Sequence, residues 1–265
     1  MQVLGLTGPG SRRLCDRVAP HLDGRVAIVE RDEGPTDSRG PTHDTPDGVA
    51  AAYRVGAGGV WSATGTDRGL DGILDDLSAT HDHALLVDTD ADVPTIALGG
   101  ADADRVVLDA DAPEEVDTQA VTDAVADADP HVTLETLVEQ VKASPRAERA
   151  GAIATFTGRV RQRDGDDDPR TVSLTFEKYE GVADDRLRTI ESELTDREGV
   201  EEVAMFHRTG TIDAGEDIVF VVALAGHRAE AFETVSDGID RLKDEVPIFK
   251  RETTVEEDFW VHDRQ

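Results

Sequence analysis

The period of the apolar residues changes halfway along the chain, and that change restricts the fold more than any other feature. Residues 229–246 set Phe232, Val235, Ile239, Leu242 and Val246 at spacings of three and four, the stripe of an amphipathic helix, and Pro247 cannot continue it. Leu187, Ile190 and Leu194 mark a second helix over 182–197. Around these helices, residues 153–161, 171–179, 203–208 and 218–225 carry the alternation of half-buried strands. Long strands separated by two helices make an α+β domain, expected over 131–265.

The first half reads differently. Short apolar strands at 3–6, 25–30, 58–61 and 84–87 alternate with helical stretches at 12–21 and 70–77, the order of an α/β unit with parallel strands. A loop rich in Gly, Pro, Asp and Thr fills 33–48. Residues 111–130 are acidic, Ala-rich and weakly patterned, so they are expected as a linker after a first domain of 1–110. Two compact units are the ordinary outcome for 265 residues.

Charge narrows the function classes. The 57 acidic residues outweigh 27 basic ones, giving −30, and both halves share the excess. Such a hydrated surface suits strong salt and lacks the basic footprint that nucleic-acid binding needs, so an anion site must be a local basic cluster. Cys15 is the single cysteine, beside Leu14 and one turn from Val18. It permits neither an intramolecular disulfide nor a thiolate zinc cluster; no metal site is expected, and a reducing compartment is. No run approaches the ~20 apolar residues of a membrane span, and the first residues lack the pattern of a signal peptide, so the expectation is a cytoplasmic protein.

Lysine is avoided. Only Lys142, Lys178, Lys243 and Lys250 occur, against 23 arginines. A lysine retained in such a chain points to chemistry a guanidinium cannot perform, since an ammonium can lose its proton and attack. Lys243 falls in the last turn of the amphipathic helix and Lys250 just past Pro247, so a turn there can direct both to one pocket. For Lys243 alone, compensation of the helix dipole is the competing account. Other basic groups are Arg159, Arg161 and Arg163 on one strand face, His207-Arg208, His227-Arg228 at a strand-to-helix junction, and Arg251. At that junction free backbone N–H groups and an arginine fork suit an anion.

Five ordered blocks, GAIATFTGRVR from Gly151, FEKYEG from Phe176, HRTGTIDAGED from His207, AGHRAEAFE from Ala225 and LKDEVPIFKRE from Leu242, resemble the molybdopterin synthase large subunit over about residues 131–264. The resemblance implies an α/β-hammerhead fold and a homodimer. It also implies a ubiquitin-like small subunit whose Gly-Gly terminus carries a thiocarboxylate, in a heterotetramer, and the conversion of cyclic pyranopterin monophosphate to molybdopterin by insertion of two dithiolene sulfurs. No cofactor is required for that transfer. By position, Lys250 attacks or orients the thiocarboxylate and Lys243 holds substrate and assists. Arg159, Val160, Arg161, His227, Arg228, Arg251 and Glu252 line the pterin and phosphate pocket with the two lysines, and Arg264 reaches a partner protomer's pocket. The alternative from another class is a non-catalytic pterin- or nucleotide-binding adapter.

The opening of the chain, a strand followed by Gly5-Leu6-Thr7-Gly8-Pro9-Gly10-Ser11 and a helix, has the outline of a phosphate-binding loop. With Gly56-Ala57-Gly58-Gly59 and the segment 81–88 it resembles the molybdopterin-guanine dinucleotide biosynthesis adapter protein. That resemblance would assign GTP to Gly5, Gly8, Gly10 and Ser11; Asp88, at the end of an apolar strand, is either a Mg²⁺ ligand or, as is commoner, the cap of a strand-to-loop turn. The loop's lysine is replaced by the run Ser11-Arg12-Arg13, which favours a degenerate P-loop-like scaffold over a GTPase.

Overall fold

The computed structural model describes residues 1–31, 49–65, 68–163, 165, 169–179 and 181–255, with the backbone alone for 258–261. The expected loop at 33–48 lies outside them. The chain divides into two compact units, Met1–Val132 and Thr133–Gln265.

In the first unit five strands, β1 (Gln2–Thr7), β2 (Val26–Glu30), β5 (His83–Val87), β6 (Thr95–Leu98) and β7 (Val106–Ala110), form one sheet in the order β2-β5-β1-β6-β7. All its pairings are parallel, as the alternation of strand and helix requires. Helix α1 (Ser11–Val18) buries Leu14, Cys15 and Val18 on this sheet, while α2 (Leu70–Ser78) buries Leu74. Burial pushes the Cys15 thiol up to about 11, so it is a packing residue. A separate hairpin pairs β3 (Ala51–Val55) with β4 (Trp61–Gly65), so the strand expected at 58–61 is largely the turn between them.

The linker expected at 111–130 is instead part of this unit. Helix α3 (Thr118–Ala126), capped by Asp117, buries Val121 and Val125 in the core of α1 and β1, with Val116 beside them. The Arg17 guanidinium donates to the carbonyls of Pro113 and Val116 at 2.6 and 2.7 Å, which fastens the segment to α1. Its acids face outward, so composition concealed a two-residue apolar stripe.

In the second unit, β8 (Ala152–Arg159), β10 (Val200–His207) and β12 (Asp217–Ala225) form an antiparallel sheet ordered β10-β12-β8. Central β12 is buried from Val219 to Ala225, which explains its unbroken apolar run. Helices α5 (Val182–Thr195) and α6 (Arg228–Glu245) pack on the face that carries Val219, Val221, Ala223 and Ala225. Helix α4 (Leu134–Lys142) also packs against β12 and is started by a reciprocal capping pair between Thr133 and Thr136. A second antiparallel sheet, ordered β11-β9-β13-β14, comprises β11 (Gly210–Asp213), β9 (Thr171–Lys178), β13 (Ile248–Thr254) and β14 (Asp258–Val261). Val160, Leu174, Phe176 and Ile212 form its small core. Among the described residues no helix is long and apolar enough to cross a membrane.

His207 borders that small core. Its ring meets Phe176 edge-on at a centroid distance of 4.8 Å, and Nδ1 lies 2.7 Å from the Arg208 carbonyl oxygen. Burial lowers its pKa, although the Arg208 carbonyl opposes the shift. The unfolded chain therefore binds a proton first on acidification, and stability is lost as pH falls below the unfolded value of about 6.5. Replacing His207 by Phe removes this contribution, leaves a carbonyl short of a donor at a cost of about 1 kcal/mol, and flattens the stability profile between pH 7 and 5. Urea unfolding across that range checks it; wild type and variant losing stability in parallel would refute the assignment.

Candidate active site

Helix α6 decides where the site residues lie. It leaves β12 through Gly226 and His227 and runs back across the sheet, with Gly238 so close to β12 that an added Cβ would sit 3.0 Å from Val221 Cγ1. Arg228 and Lys243 are 15 residues apart on this one helix, about 22 Å along its axis at about 1.5 Å per residue. The His227-Arg228 doublet and Lys243 therefore occupy opposite ends of the helix.

The Lys243 end collects most of the remaining cations. Arg159 is opposite Asp217 at the start of β12; its Nε is 3.2 Å from Asp217 Oδ1, and its other nitrogen donates to the Gly215 carbonyl. Val160 follows, buried against Leu174 and Phe176, with its N–H bonded to the Glu216 carbonyl and its carbonyl to the Gly215 N–H. Its side chain thus serves the core, while exposed Arg159 and Arg161 flank it. After Val246 and Pro247, β13 begins at Ile248 and sets Lys250 opposite Phe176. Lys243 is exposed and Lys250 half-buried.

Strand alternation divides the run 250–252. Lys250 and Glu252 face the side of Phe176 and Leu174, and Arg251 faces the other side with Thr175 and exposed Phe249. Glu252 accepts a hydrogen bond from Thr171 Oγ1 at 2.5 Å, which fixes the carboxylate at the base of the strand. Arg264 lies outside the described residues.

The lysines sort into two kinds. Lys142 is paired with Glu139 at 2.6 Å and Lys178 with Asp184 at 3.0 Å, whereas among the described residues no carboxylate is bonded to Lys243 or Lys250. In a chain of 57 acids, two ammoniums without a bonded carboxylate among the described residues leave charge available to an anion, whereas Arg159 is paired with Asp217. At the far end His227 and Arg228 are exposed, and the first turn of α6 presents backbone N–H groups without a side-chain cap.

The loop at the start of the first unit holds a carboxylate of its own. The Gly8 N–H donates to Asp88 Oδ1 at 3.0 Å and Ser11 Oγ to Asp88 Oδ2 at 2.9 Å. Arg12 is engaged by Asp16 and Glu30, and Arg13 by Glu114. Asp88 adopts φ 52°, a left-handed conformation uncommon outside glycine, and Gly10 at φ 89° caps α1. Gly5 packs its backbone against Thr95. Among the described residues a nucleoside triphosphate brought to this loop would find its Gly8 N–H and Ser11 hydroxyl bonded to Asp88 and both neighbouring arginines already paired, so the loop lacks the open cation that holds such phosphates. Among the described residues no cluster of three His, Cys, Asp or Glu groups could hold a metal ion.

Comparison with known proteins agrees with the second unit's blocks. The family model described as MoaE protein matches residues 128–245. A Haloferax volcanii protein named probable molybdopterin synthase is 56% identical over 265 residues, 100% of both chains. The molybdopterin synthase catalytic subunit of Escherichia coli is 39% identical over 115 residues, 43% of this chain and 75% of that protein. That of Pyrococcus abyssi is 34% identical over 124 residues, 47% of this chain and 82% of that protein. A solved MoaE protein from Burkholderia ambifaria aligns at 32% identity with a TM-score of 0.42, over 51% of this chain and 85% of that one. The chain belongs to the molybdopterin synthase family, enzymes of molybdenum cofactor biosynthesis.

Proposed function

We propose that the chain is the catalytic subunit of molybdopterin synthase and converts cyclic pyranopterin monophosphate to molybdopterin with sulfur from a thiocarboxylated small subunit. The observation that carries this reading is the pair Lys243 and Lys250, bonded to no carboxylate among the described residues while the other two lysines are paired. Both the substrate's phosphate and the donor's carboxyl end are anions, and a lysine amine can attack or orient an acyl carbon. In this reading Lys250 meets the thiocarboxylate and Lys243 holds the pterin. Sulfur comes from the donor tail, so no cofactor takes part, and the reducing cytoplasm keeps Cys15 a thiol.

The separation of His227 and Arg228 from Lys243 supports a homodimer in which one protomer's doublet completes the other's lysine site. A single chain cannot bring both ends of α6 to one small substrate. For the first unit, the carboxylate within the β1–α1 loop supports a scaffold that takes no nucleotide.

With both substrates in high salt, Lys250→Ala is expected to lower molybdopterin formation by roughly 100-fold or more, and Lys243→Ala by a smaller factor. Activity equal to wild type in Lys250→Ala would leave a pterin-binding adapter as the better account. Mixing inactive Lys250→Ala with inactive Arg228→Ala should restore roughly a quarter of wild-type activity, since half the dimers are mixed and each has one intact site. Absence of any recovery would place all the groups of a site within one protomer. Equilibrium dialysis against labelled GTP and Mg²⁺ should show no saturable binding at about 100 μM, a Kd that would correspond to about −5.5 kcal/mol; saturation there would overturn the scaffold reading.

A further inference from the structure

The resemblance leaves Lys142 and Lys178 without a role, and of these two Lys178 lies on a strand paired with the one that carries Lys250. In the antiparallel ladder of β9 and β13, Lys178 is opposite Ile248 and Phe176 is opposite Lys250. Residues directly opposite share a face and alternate residues of a strand share it too, so Lys178 and Lys250 occupy one face at diagonal positions. Diagonal neighbours are roughly 7–8 Å apart, within reach of two long side chains and of one anion held between them. The Lys178 ammonium is fixed, with Asp184 Oδ1 and Oδ2 at 3.0 and 3.2 Å, and Asp184 stands in the first turn of α5. Its side chain is 27% exposed, so it still reaches solvent on that face.

An ion pair that merely clips α5 to β9 needs no lysine: arginine serves as well and is what this chain uses almost everywhere else. The compact charge with one bound carboxylate keeps donors for a second anion. A lysine that attacks must do so as an amine, so the charge that holds an anionic carboxyl end has to come from another group. We infer that Lys178, held by Asp184 on the same face as Lys250, is a positioning residue that binds the anionic group presented to Lys250. This rests on the sulfur-transfer reading above. The shared ligand chemistry is a singly or doubly charged oxyanion or thiocarboxylate, either the donor's tail or the pterin's phosphate.

Steady-state kinetics with each substrate varied in turn distinguish the two. Lys178→Met should raise KM about tenfold, equivalent to one lost charged contact, for one substrate with kcat within about threefold of wild type. A rise for the thiocarboxylated small subunit identifies the tail, and a rise for the pterin identifies the phosphate. Lys178→Arg should recover most of the affinity. Should Lys178→Met fail to fold, Asp184→Asn releases the ammonium without removing it and should raise the same KM by about two- to fivefold. Unchanged KM for both substrates in the folded variants, with only a lower Tm, would overturn the proposal and leave a structural clip. Lys250→Ala assayed alongside separates the failures: if it too is fully active, the sulfur-transfer reading has failed, and Lys178 with it.

Discussion

The close packing of one unbroken helix on one buried strand governs the second unit. Gly238 allows α6 to lie against β12 near Val221, and the apolar stripe of the helix then covers the sheet from Ala231 to Val246. Because the helix is rigid and spans the sheet, it fixes the distance between the cations at its two ends. The chain's return through Val246 and Pro247 into β13 then sets Lys250 beside the small core of Phe176 and Val160.

Charge acts on a shorter scale. The excess of acids would neutralise almost any exposed cation, and the described arginines are mostly engaged: Arg186 and Arg241 with Glu245, Arg197 with Asp237, Arg149 with Glu201. Exposed pairs of this kind add at most about 1 kcal/mol each. Their larger effect is to use up charge, so that among the described residues Lys243 and Lys250 keep no bonded carboxylate in an acidic field. Selectivity for an anion here depends on which pairs do not form.

Much of this was legible in the residues. Val235, Ile239, Leu242 and Val246 announced α6, and the Pro247 stop announced the turn before Lys250, whereas Phe232, expected in the same stripe, is exposed because Ala231 takes the buried position of that turn. The family blocks marked Lys243 and Lys250 among the four lysines. What could not be read was distance: motif order puts His227 and Lys243 in one list, and only the straightness of α6 shows that they stand apart. Val160 sits between two arginines in the same motif, yet alternation sends its side chain into the core. Helix α4 was missed because Thr136 stands where a glutamate would mark a capping box, and α3 because its two valines are diluted by alanine and aspartate. Lys178 was passed over because its relation to Lys250 exists only across a ladder between strands some 70 residues apart, a register that sequence spacing does not carry.

That ladder also limits how this part of the chain can vary in length. Pro247 leads directly into β13, and Lys250 is the third residue of the strand, so its facing depends on the parity of a three-residue count. One residue inserted or lost there would keep every lysine in the gene product and every strand in the sheet. It would nonetheless turn Lys250 to the side of Arg251 and bring a neighbour to the face of Phe176 and Lys178. Loops elsewhere can lengthen at small entropic cost, but between Pro247 and Lys250 only changes in steps of two preserve the site.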